Sequence, residues 1–355
     1  MPRISVIVDN YNYARWLPEA LDSVQGQTFR DYECIVVDDG STDGSREIIE
    51  NHARHFPALV PVFKENGGQT SAFNAGFAVS SGEIIAFLDS DDYWYPDKLE
   101  RIAAAHQRGP LVQHYLAPNG EGVYRKVSAG VNRHEALVRF GFMYNHSPTS
   151  GLSFARELLE PFFPLLHAEE MRGYADGCLL MIALTQADVT LLEDVLGYYR
   201  IHDRNLNAGR TDAGEAARRV VAEQRAFVNK QLTARGRAPV PFDDHAWYRH
   251  LLGICRERQI ITTQDSIAIY GTEAAGLRMT SVLREMGVPI WGYADSNAAK
   301  WNTVFEGKTV AAPSALPAAR NEFSKVLIAS SAVDAIRGTL RALGFSDDAI
   351  IALPL

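Results

Sequence analysis

An α/β fold with a mostly parallel sheet is what this sequence predicts, and three observations carry the expectation. Short apolar runs alternate with amphipathic stretches from the first residues onward. Several of those runs are apolar at nearly every position. Polar residues gather just after their C-terminal ends. Strands that are apolar on both sides, alternating with helices, belong to a parallel sheet covered on both faces. Open sheets of that kind bind ligands beyond the carboxyl ends of their strands.

The elements follow in order. ISVIVDN is the first strand, and WLPEALDSVQGQT a short amphipathic helix with Leu17, Ala20, Leu21 and Val24 on one side. YECIVVDDGSTDGS is a second strand that ends in acids and a glycine turn. SREIIENHARHF is a helix, LVPVFKE a third strand, TSAFNAGFAVS a helix with small residues on one side, and EIIAFLDSDD a fourth strand. Residues 98–107 begin another helix, and 111–130 read as irregular or extended chain with glycine turns. HEALVRFGFMYNHSPTSGLSFARELLEPFF mixes helix, polar loop, short strand and helix. GYADGCLLMIALTQ is helical, since Cys178, Leu179, Ile182 and Ala183 share a face. VTLLEDVLGYYRIH is extended, with a bend near Asp194. The composition turns polar near residue 203, WYRHLLGICRERQ forms a connecting helix, and strand–helix alternation restarts at DSIAIYGTEAAG. The division expected is 1–205, a helical connecting segment over 206–264, and a small α/β domain over 265–355.

Bulk properties narrow the function classes. Of 355 residues, 46% are hydrophobic and 22% charged, which is ordinary for a globular chain. A net charge of -8 argues against a broad nucleic-acid surface. The start, MPRISVIVDNYNYA, has no signal-peptide layout, and no apolar run is long enough to span a bilayer. The expectation is a cytoplasmic protein, peripheral at the inner membrane if its substrate is lipid-linked. Cys34, Cys178 and Cys255 lack metal-ligand spacing and read as buried thiols.

The chemistry lies in the acids. Asp9 ends the first strand, Asp38 and Asp39 the second, and Asp89, Asp91 and Asp92 follow the fourth. Clustered like charges repel and need a cation, backbone donors or water. If strands one, two and four are neighbours, their tips converge on one crevice. Hard divalent ions such as Mg2+ or Mn2+ prefer oxygen ligands and are usually bound together with substrate phosphates. Calcium and an ordinary acidic loop remain alternatives at this point. VVDDGSTDGS lacks dinucleotide glycine spacing, and its acids suit N–H or O–H donors of a nucleoside better than phosphate. Asp43 and Ser45 also read as a capped turn.

The runs VDNYNYARWLPEALDSVQGQTF, YECIVVDDGSTDGS and ENGGQTSAFNAGFAVSSGEIIAFLDSDD together resemble a family 2 glycosyltransferase, in order and spacing, over about 100 residues. That resemblance implies a GT-A nucleotide-sugar-binding fold for 1–205. It implies that Asp39, with Asp38, contacts base or ribose, with Asp9 and Tyr11 on the nucleoside side. Asn66, Gly67, Gln69 and Asn74 would line the nucleotide-sugar pocket. Phe73 stands where relatives often carry an arginine. Asp89, Ser90 and Asp91 resemble the family's D-x-D triplet, with Asp91 as metal ligand, Asp89 touching ribose and Asp92 orienting the loop. Asp176 falls at the position of the catalytic acid residue, where Ala175 replaces the first member of a Glu–Asp pair; Glu169 and Glu170 are rivals. His202 completes the metal–diphosphate contacts, and Arg200 and Arg204 offer charge to phosphate. HSPTSGLSF resembles the acceptor-facing segment.

The implied reaction is an inverting, Mn2+- or Mg2+-dependent transfer from a nucleoside-diphosphate sugar, with UDP favoured, to a hydroxyl of a glycan, glycolipid or glycoprotein precursor. Asp176 would serve as general base. The alternatives are a metal-dependent nucleotidyltransferase and a nonenzymatic nucleotide-sugar sensor. In the last segment, AIYGTEAAG resembles a Rossmann-like domain of the kind appended to sugar-processing proteins. There Gly271 and Gly276 hold the outer glycine positions, Glu273 replaces the central one, and Asp295 follows the next strand. A glutamate at that place opposes pyrophosphate, so the domain is read as structural, partner-binding or a route to homo-oligomers. Trp291, Tyr293, Trp301 and Phe305 are its candidates for a core or an interface.

Overall fold

The computed structural model describes residues 2–123, 131–143, 146–205, 213–243, 245–330 and 332–353. The chain divides into two compact units. One comprises Met1–Arg139 and Asn145–Pro241, the other Phe140–Tyr144 and Phe242–Leu355.

In the first unit eight strands form one sheet. They are β1 (Ile4–Asn10), β2 (Tyr32–Asp38), β3 (Leu59–Phe63), β4 (Ile84–Asp89), β5 (Tyr93–Trp94), β6 (Leu111–Pro118), β7 (Leu152–Ala155) and β8 (Thr190–Tyr199), in the spatial order β3-β2-β1-β4-β7-β6-β8-β5. The pairs β1–β2, β2–β3, β1–β4 and β6–β8 are parallel, and β4–β7, β6–β7 and β5–β8 antiparallel. Among the described residues, eight helices accompany them: α1 (Leu17–Gln25), α2 (Ser45–Ala53), α3 (Gln69–Val79), α4 (Lys98–Ala105), α5 (Arg133–Phe140), α6 (Arg156–Leu159), α7 (Ala175–Leu184) and α8 (Ala213–Thr233). Branched residues on both faces of β1 make it a central strand: Ile4, Val6, Ile7 and Val8 are all fully buried. Helix α1 buries Leu17, Ala20, Leu21 and Val24, the face read from the sequence, against Val6, Val8, Val36 and Leu88. Each of its larger side chains contributes ~1.5–3 kcal/mol of burial. Helix α7 is buried nearly all round, which explains why it shows no polar stripe.

The stretch read as irregular or extended contains β6, buried from Leu111 to Ala117. Gln113 and His114 within it disguise a strand covered on both faces. Its last part, 124–130, lies outside the described residues, as do 206–212 of the polar stretch after residue 203. The two-residue strand β5 gives no periodic signal. The bend near Asp194 is a bulge within one continuous strand, because His114 pairs with Leu192 while Tyr115 pairs with Val195.

The second unit is a six-stranded sheet in the order β11-β12-β10-β9-β13-β14. Its strands are β9 (Ile267–Tyr270), β10 (Ile290–Ala294), β11 (Val304–Phe305), β12 (Lys308–Ala311), β13 (Lys325–Ile328) and β14 (Ile350–Ala352), with helices α9 (Ala246–Glu257), α10 (Ala274–Glu285) and α11 (Val333–Ala342). All pairs but β11–β12 are parallel. The glycine turn after β9 is packed shut. A Cβ on Gly271, at φ +116°, would lie 2.5 Å from the Ala329 carbonyl oxygen. Asp295 accepts the Thr272 N–H (3.0 Å) and hydroxyl (2.6 Å), the Asn297 N–H (2.9 Å) and the Lys300 ammonium (3.3 Å). Lys300 also meets Glu273 at 3.0 Å. The acid at the nucleotide-like position is thus engaged by its own loop. Tyr293 belongs to the core, Trp291 packs at its edge, and Trp301 is exposed with its indole N–H on the Asp295 carbonyl.

Among the described residues, no helix is long and apolar enough to cross a membrane.

Candidate active site

The register of the first sheet creates the site. In the parallel pair β1–β4, Asp9 stands directly opposite Asp89. Paired positions of neighbouring strands face the same side of a sheet, so the two carboxylates are delivered together. Asp91 and Asp92 follow in the turn after β4. Carboxylate oxygens of Asp89, Asp91 and Asp92 all lie within 4.8 Å of one another. At that separation each ionised pair repels by about 3–4 kcal/mol if the effective dielectric constant is ~20.

Burial makes this repulsion acute. It pushes the Asp9 carboxyl up to about 7, with the charges of Asp91 and Asp176 adding to the rise and a bond from Gln69 opposing it. Asp89 is driven well above the ordinary carboxyl range by burial, then by Asp9, Asp91, Asp92 and Asp176. Asp92 is raised by burial and by Asp91. Asp91 is raised by burial, but the bond and charge of His202 pull it back. Asp9 Oδ1 is buried with no hydrogen-bond partner. An orphaned carboxylate oxygen beside three clustered carboxylates is a donor set that fits a hard divalent cation.

The cluster opens into a cavity of about 550 Å³. Of the residues expected at the site, Asp9, Tyr11, Asp39, Asn66, Gln69, Asp89, Ser90, Asp91 and Asp176 line it. Asp38, Gly67, Asn74 and His202 do not. Asp38 is buried and accepts the Asn10 amide at 2.9 Å. The amide of Gly67 donates to Asp39 at 2.9 Å. Asn74 was expected on the pocket wall and is placed elsewhere. Its Nδ2 donates to the Leu165 carbonyl (2.9 Å) and its Oδ1 accepts the Leu165 N–H (2.7 Å), so both arms of the amide pin that loop.

Asp39 is held by the N–H groups of Gly67 and Gly68 (2.7 Å for the latter) and by the Lys64 ammonium. An ionised carboxylate has about four acceptor positions, so roughly one remains for a nucleoside donor. Gln69 bridges β4 and α7: its Nε2 faces Asp89 at 3.4 Å, and its Oε1 accepts the Ala175 N–H at 3.0 Å. That bond fixes the start of α7, whose first turn carries Asp176. Glu169 and Glu170 do not line the cavity, and Glu170 is paired with Lys230 at 2.5 Å.

The end of β8 clamps the acidic turn. The Arg200 N–H donates to Asp92 Oδ1 (2.8 Å), and its Nε to the Asp91 carbonyl (2.7 Å), while its Nη2 meets Glu19. This commits the guanidinium to the protein. His202 Nε2 lies 2.9 Å from Asp91 Oδ2, and its Nδ1 accepts the Arg204 N–H at 3.0 Å. An acceptor role for Nδ1 places the proton on Nε2, which donates to Asp91. The ring stacks on Trp16 with centroids 4.1 Å apart. In this arrangement His202 reaches the site through Asp91.

Several residues escaped sequence reasoning. Ser150, in the turn Thr149–Gly151, donates its hydroxyl to Asp92 Oδ2 (2.6 Å) and accepts the Asp89 N–H (3.1 Å). Its carbonyl takes the Trp94 indole N–H at 2.8 Å. Helix α8 forms part of the wall through Val220, Val221 and Gln224, and Gln224 donates to the Tyr174 carbonyl at 2.8 Å. Arg172 also lines the cavity. None of these carries a local signal, since each acts on residues about 50 or more positions away.

The model of "Glycosyl transferase family 2" matches residues 5–158. An "Uncharacterized glycosyltransferase alr2836" from Nostoc sp. is 41% identical over 213 residues, covering 57% of this chain and 66% of the relative. "Uncharacterized glycosyltransferase EpsJ" from Bacillus subtilis is 35% identical over 218 residues, covering 58% and 63%. The "Poly(ribitol-phosphate) beta-N-acetylglucosaminyltransferase TarS" of Staphylococcus aureus is 30% identical over 209 residues, covering 56% of this chain and 35% of TarS. The chain therefore spans from about a third to just under two thirds of the length of these relatives. A crystal structure of S. aureus TarS 1-349 with UDP-GlcNAc superimposes with a TM-score of 0.49 at 22% identity, covering 81% of this chain and 82% of that one. Residues 5–158, with the acidic strand tips at their centre, are a family 2 glycosyltransferase domain, and the chain continues beyond it into a separate C-terminal α/β unit.

Proposed function

We propose that the first unit transfers a sugar from a nucleoside-diphosphate sugar, UDP being the favoured nucleotide, to a hydroxyl of a glycan or glycolipid, with inversion at the anomeric carbon. One observation carries the reading: Asp9 and Asp89 stand level on adjacent strands, and Asp176 from α7 lines the same cavity. Asp89 and Asp91 are the residues to hold a Mn2+ or Mg2+ ion. Asp92 keeps their turn in place through Ser150 and Arg200. For His202 to join as a ligand, its Nε2 must release the proton it gives to Asp91.

When bound, a divalent cation supplies neutralisation for the negative charge of a departing diphosphate. Everything else is done by the chain. Asp39 offers its remaining acceptor position to the nucleoside. Gln69 holds the start of α7 so that Asp176 faces the cavity. Asp176 accepts the proton of the attacking hydroxyl as its oxygen bonds to the anomeric carbon and the bond to the diphosphate breaks. This single displacement needs no covalent sugar intermediate. Val220, Val221 and Gln224 narrow the cavity and limit water. A nucleotidyltransferase is disfavoured, because among the described lining residues five carboxylates face one arginine.

The test is a panel of nucleotide sugars incubated with and without Mn2+, with product stereochemistry read by NMR. Asp176→Asn is expected to lower turnover ~10²–10⁴-fold while donor affinity stays within about twofold. Near-normal turnover in that variant removes Asp176 from its role. Metal-independent activity removes the cation from the reaction.

A further inference from the structure

The charge balance of the cavity poses a problem for an anionic ligand. Five aspartates line it, and among its described lining residues the sole lysine or arginine is Arg172. Of the other cations nearby, Lys64 is committed to Asp39, Arg200 to Glu19 and the Asp91 carbonyl, and Lys230 to Glu170, while Arg204 does not line the cavity. Arg172 differs. Its guanidinium has no carboxylate within salt-bridge distance among the described residues, and its one side-chain bond goes from Nη2 to the neutral Asn66 Oδ1. A guanidinium carries five N–H donors in a planar fork, so most of its donors and its whole charge are uncommitted.

Its base is fixed. The Arg172 carbonyl accepts the Gln69 N–H at 2.8 Å, and the neighbouring Met171 carbonyl takes the Thr70 hydroxyl. Gly68, at φ +86°, lets the two loops pass so closely that a Cβ there would lie 2.7 Å from Arg172 Cα. Asn66 donates its own amide to the Asp39 carbonyl at 3.0 Å. The guanidinium is thereby oriented by a neutral group beside the loop that holds Asp39. Helix α3 offers no alternative cation, since Phe73 is fully buried against Phe87.

We infer that Arg172 is a donor-binding residue whose guanidinium takes anionic oxygens of the sugar nucleotide's diphosphate. The inference rests on the transfer reaction proposed above and adds to it a second positive contact, supplied by the protein. Arginine suits the task because its planar fork meets two phosphate oxygens with parallel N–H bonds, whereas an ammonium acts as a point charge.

The experiment measures binding of UDP, GDP and dTDP, and of uridine, guanosine and thymidine, to the full chain with Mn2+, in the wild type, Arg172→Ala and Arg172→Lys. Affinity for whichever diphosphate binds is expected to fall ~10-fold or more in the alanine variant, the size of a lost charge-assisted contact. Affinity for the matching nucleoside should change less than about twofold, with lysine restoring part of the loss. KM for the sugar nucleotide should rise more than kcat falls. Equal losses for nucleoside and diphosphate, or no loss at all, overturn the assignment of Arg172 and leave the transfer reaction standing. A wild-type chain that binds none of the diphosphates overturns both.

Discussion

Ser150→Ala is the sharpest probe of how the acidic turn is held. The side chain is fully buried and makes two bonds, one to the Asp92 carboxyl and one from the Asp89 N–H. Alanine fits the space and removes both. Two buried polar groups then lose their partner, each at a cost of ~1–3 kcal/mol. Asp92 keeps the Arg200 N–H, so the lower half of that range applies to it, and the sum is about 2–5 kcal/mol. For a unit of this size, that corresponds to a fall in melting temperature of roughly 4–20 °C. The effect on function is separate. Asp89 and Asp91 flank the loosened turn, and loss of a group that orients ligands typically weakens metal binding ~10–100-fold. Calorimetric melting and a Mn2+ titration of donor turnover read the two effects. A double-mutant cycle with Asp92→Asn should show strong coupling, because both changes remove the same bond. If Ser150→Ala melts within about 1 °C of the wild type and half-saturates at the same Mn2+ concentration, the bracing role is wrong.

The remaining predictions concern stability. His114 is buried and bonds the Tyr115 carbonyl through Nδ1 (2.9 Å); burial, and then Lys98, push it down to about 3. The unfolded chain takes up a proton near pH 6.5 that the native state refuses, so His114 contributes stability above that pH which is lost as pH falls toward 3. Relative to His114→Asn, the wild type should lose up to ~1.4 kcal/mol per pH unit below 6.5, measured by urea unfolding at several pH values; parallel curves would refute it. Gly68→Ala should destabilise by more than the ~1–3 kcal/mol of left-handed strain alone, because its Cβ meets the Arg172 backbone. Gly44→Ala serves as the open comparison: Gly44 has φ +86° and nothing within 4 Å of the added Cβ, though its ψ of 2° against 173° at Gly68 makes its backbone strain the smaller of the two. Equal melting temperatures for the two glycine variants would show that the loops do not touch so closely.

What could be read in advance follows from locality. The strands β1, β2 and β4 announce themselves as apolar runs, and their acidic ends are part of the same local pattern, so Asp9, Asp89 and Asp91 could be brought together without coordinates. The buried face of α1 was legible for the same reason. Strand β6 was legible only as irregular or extended chain, because a polar pair at Gln113 and His114 interrupts its pattern while both residues are buried in the fold. Asn74 shows the limit of motif reasoning: its helix was recognised, but which side of α3 its amide takes depends on Leu165, 91 residues away. The pairing of His202 with Asp91 was foreshadowed, whereas the proton on Nε2 depends on the Arg204 N–H. Ser150 and Gln224 act only through distant partners and leave no mark in a local pattern.

The clamp at the end of β8 has a consequence for biosynthesis. Asp91 and Asp92 precede Arg200 and His202 by 108 to 111 residues in the contacts that join them. At ~5–20 residues per second, translation needs roughly 5–20 s to cover that gap. Throughout this interval the mutually repelling aspartates have left the ribosome without the groups that restrain them. The acidic turn therefore matures only after the chain just beyond β8 has been made, and the cavity wall is completed later still by Val220, Val221 and Gln224 of α8.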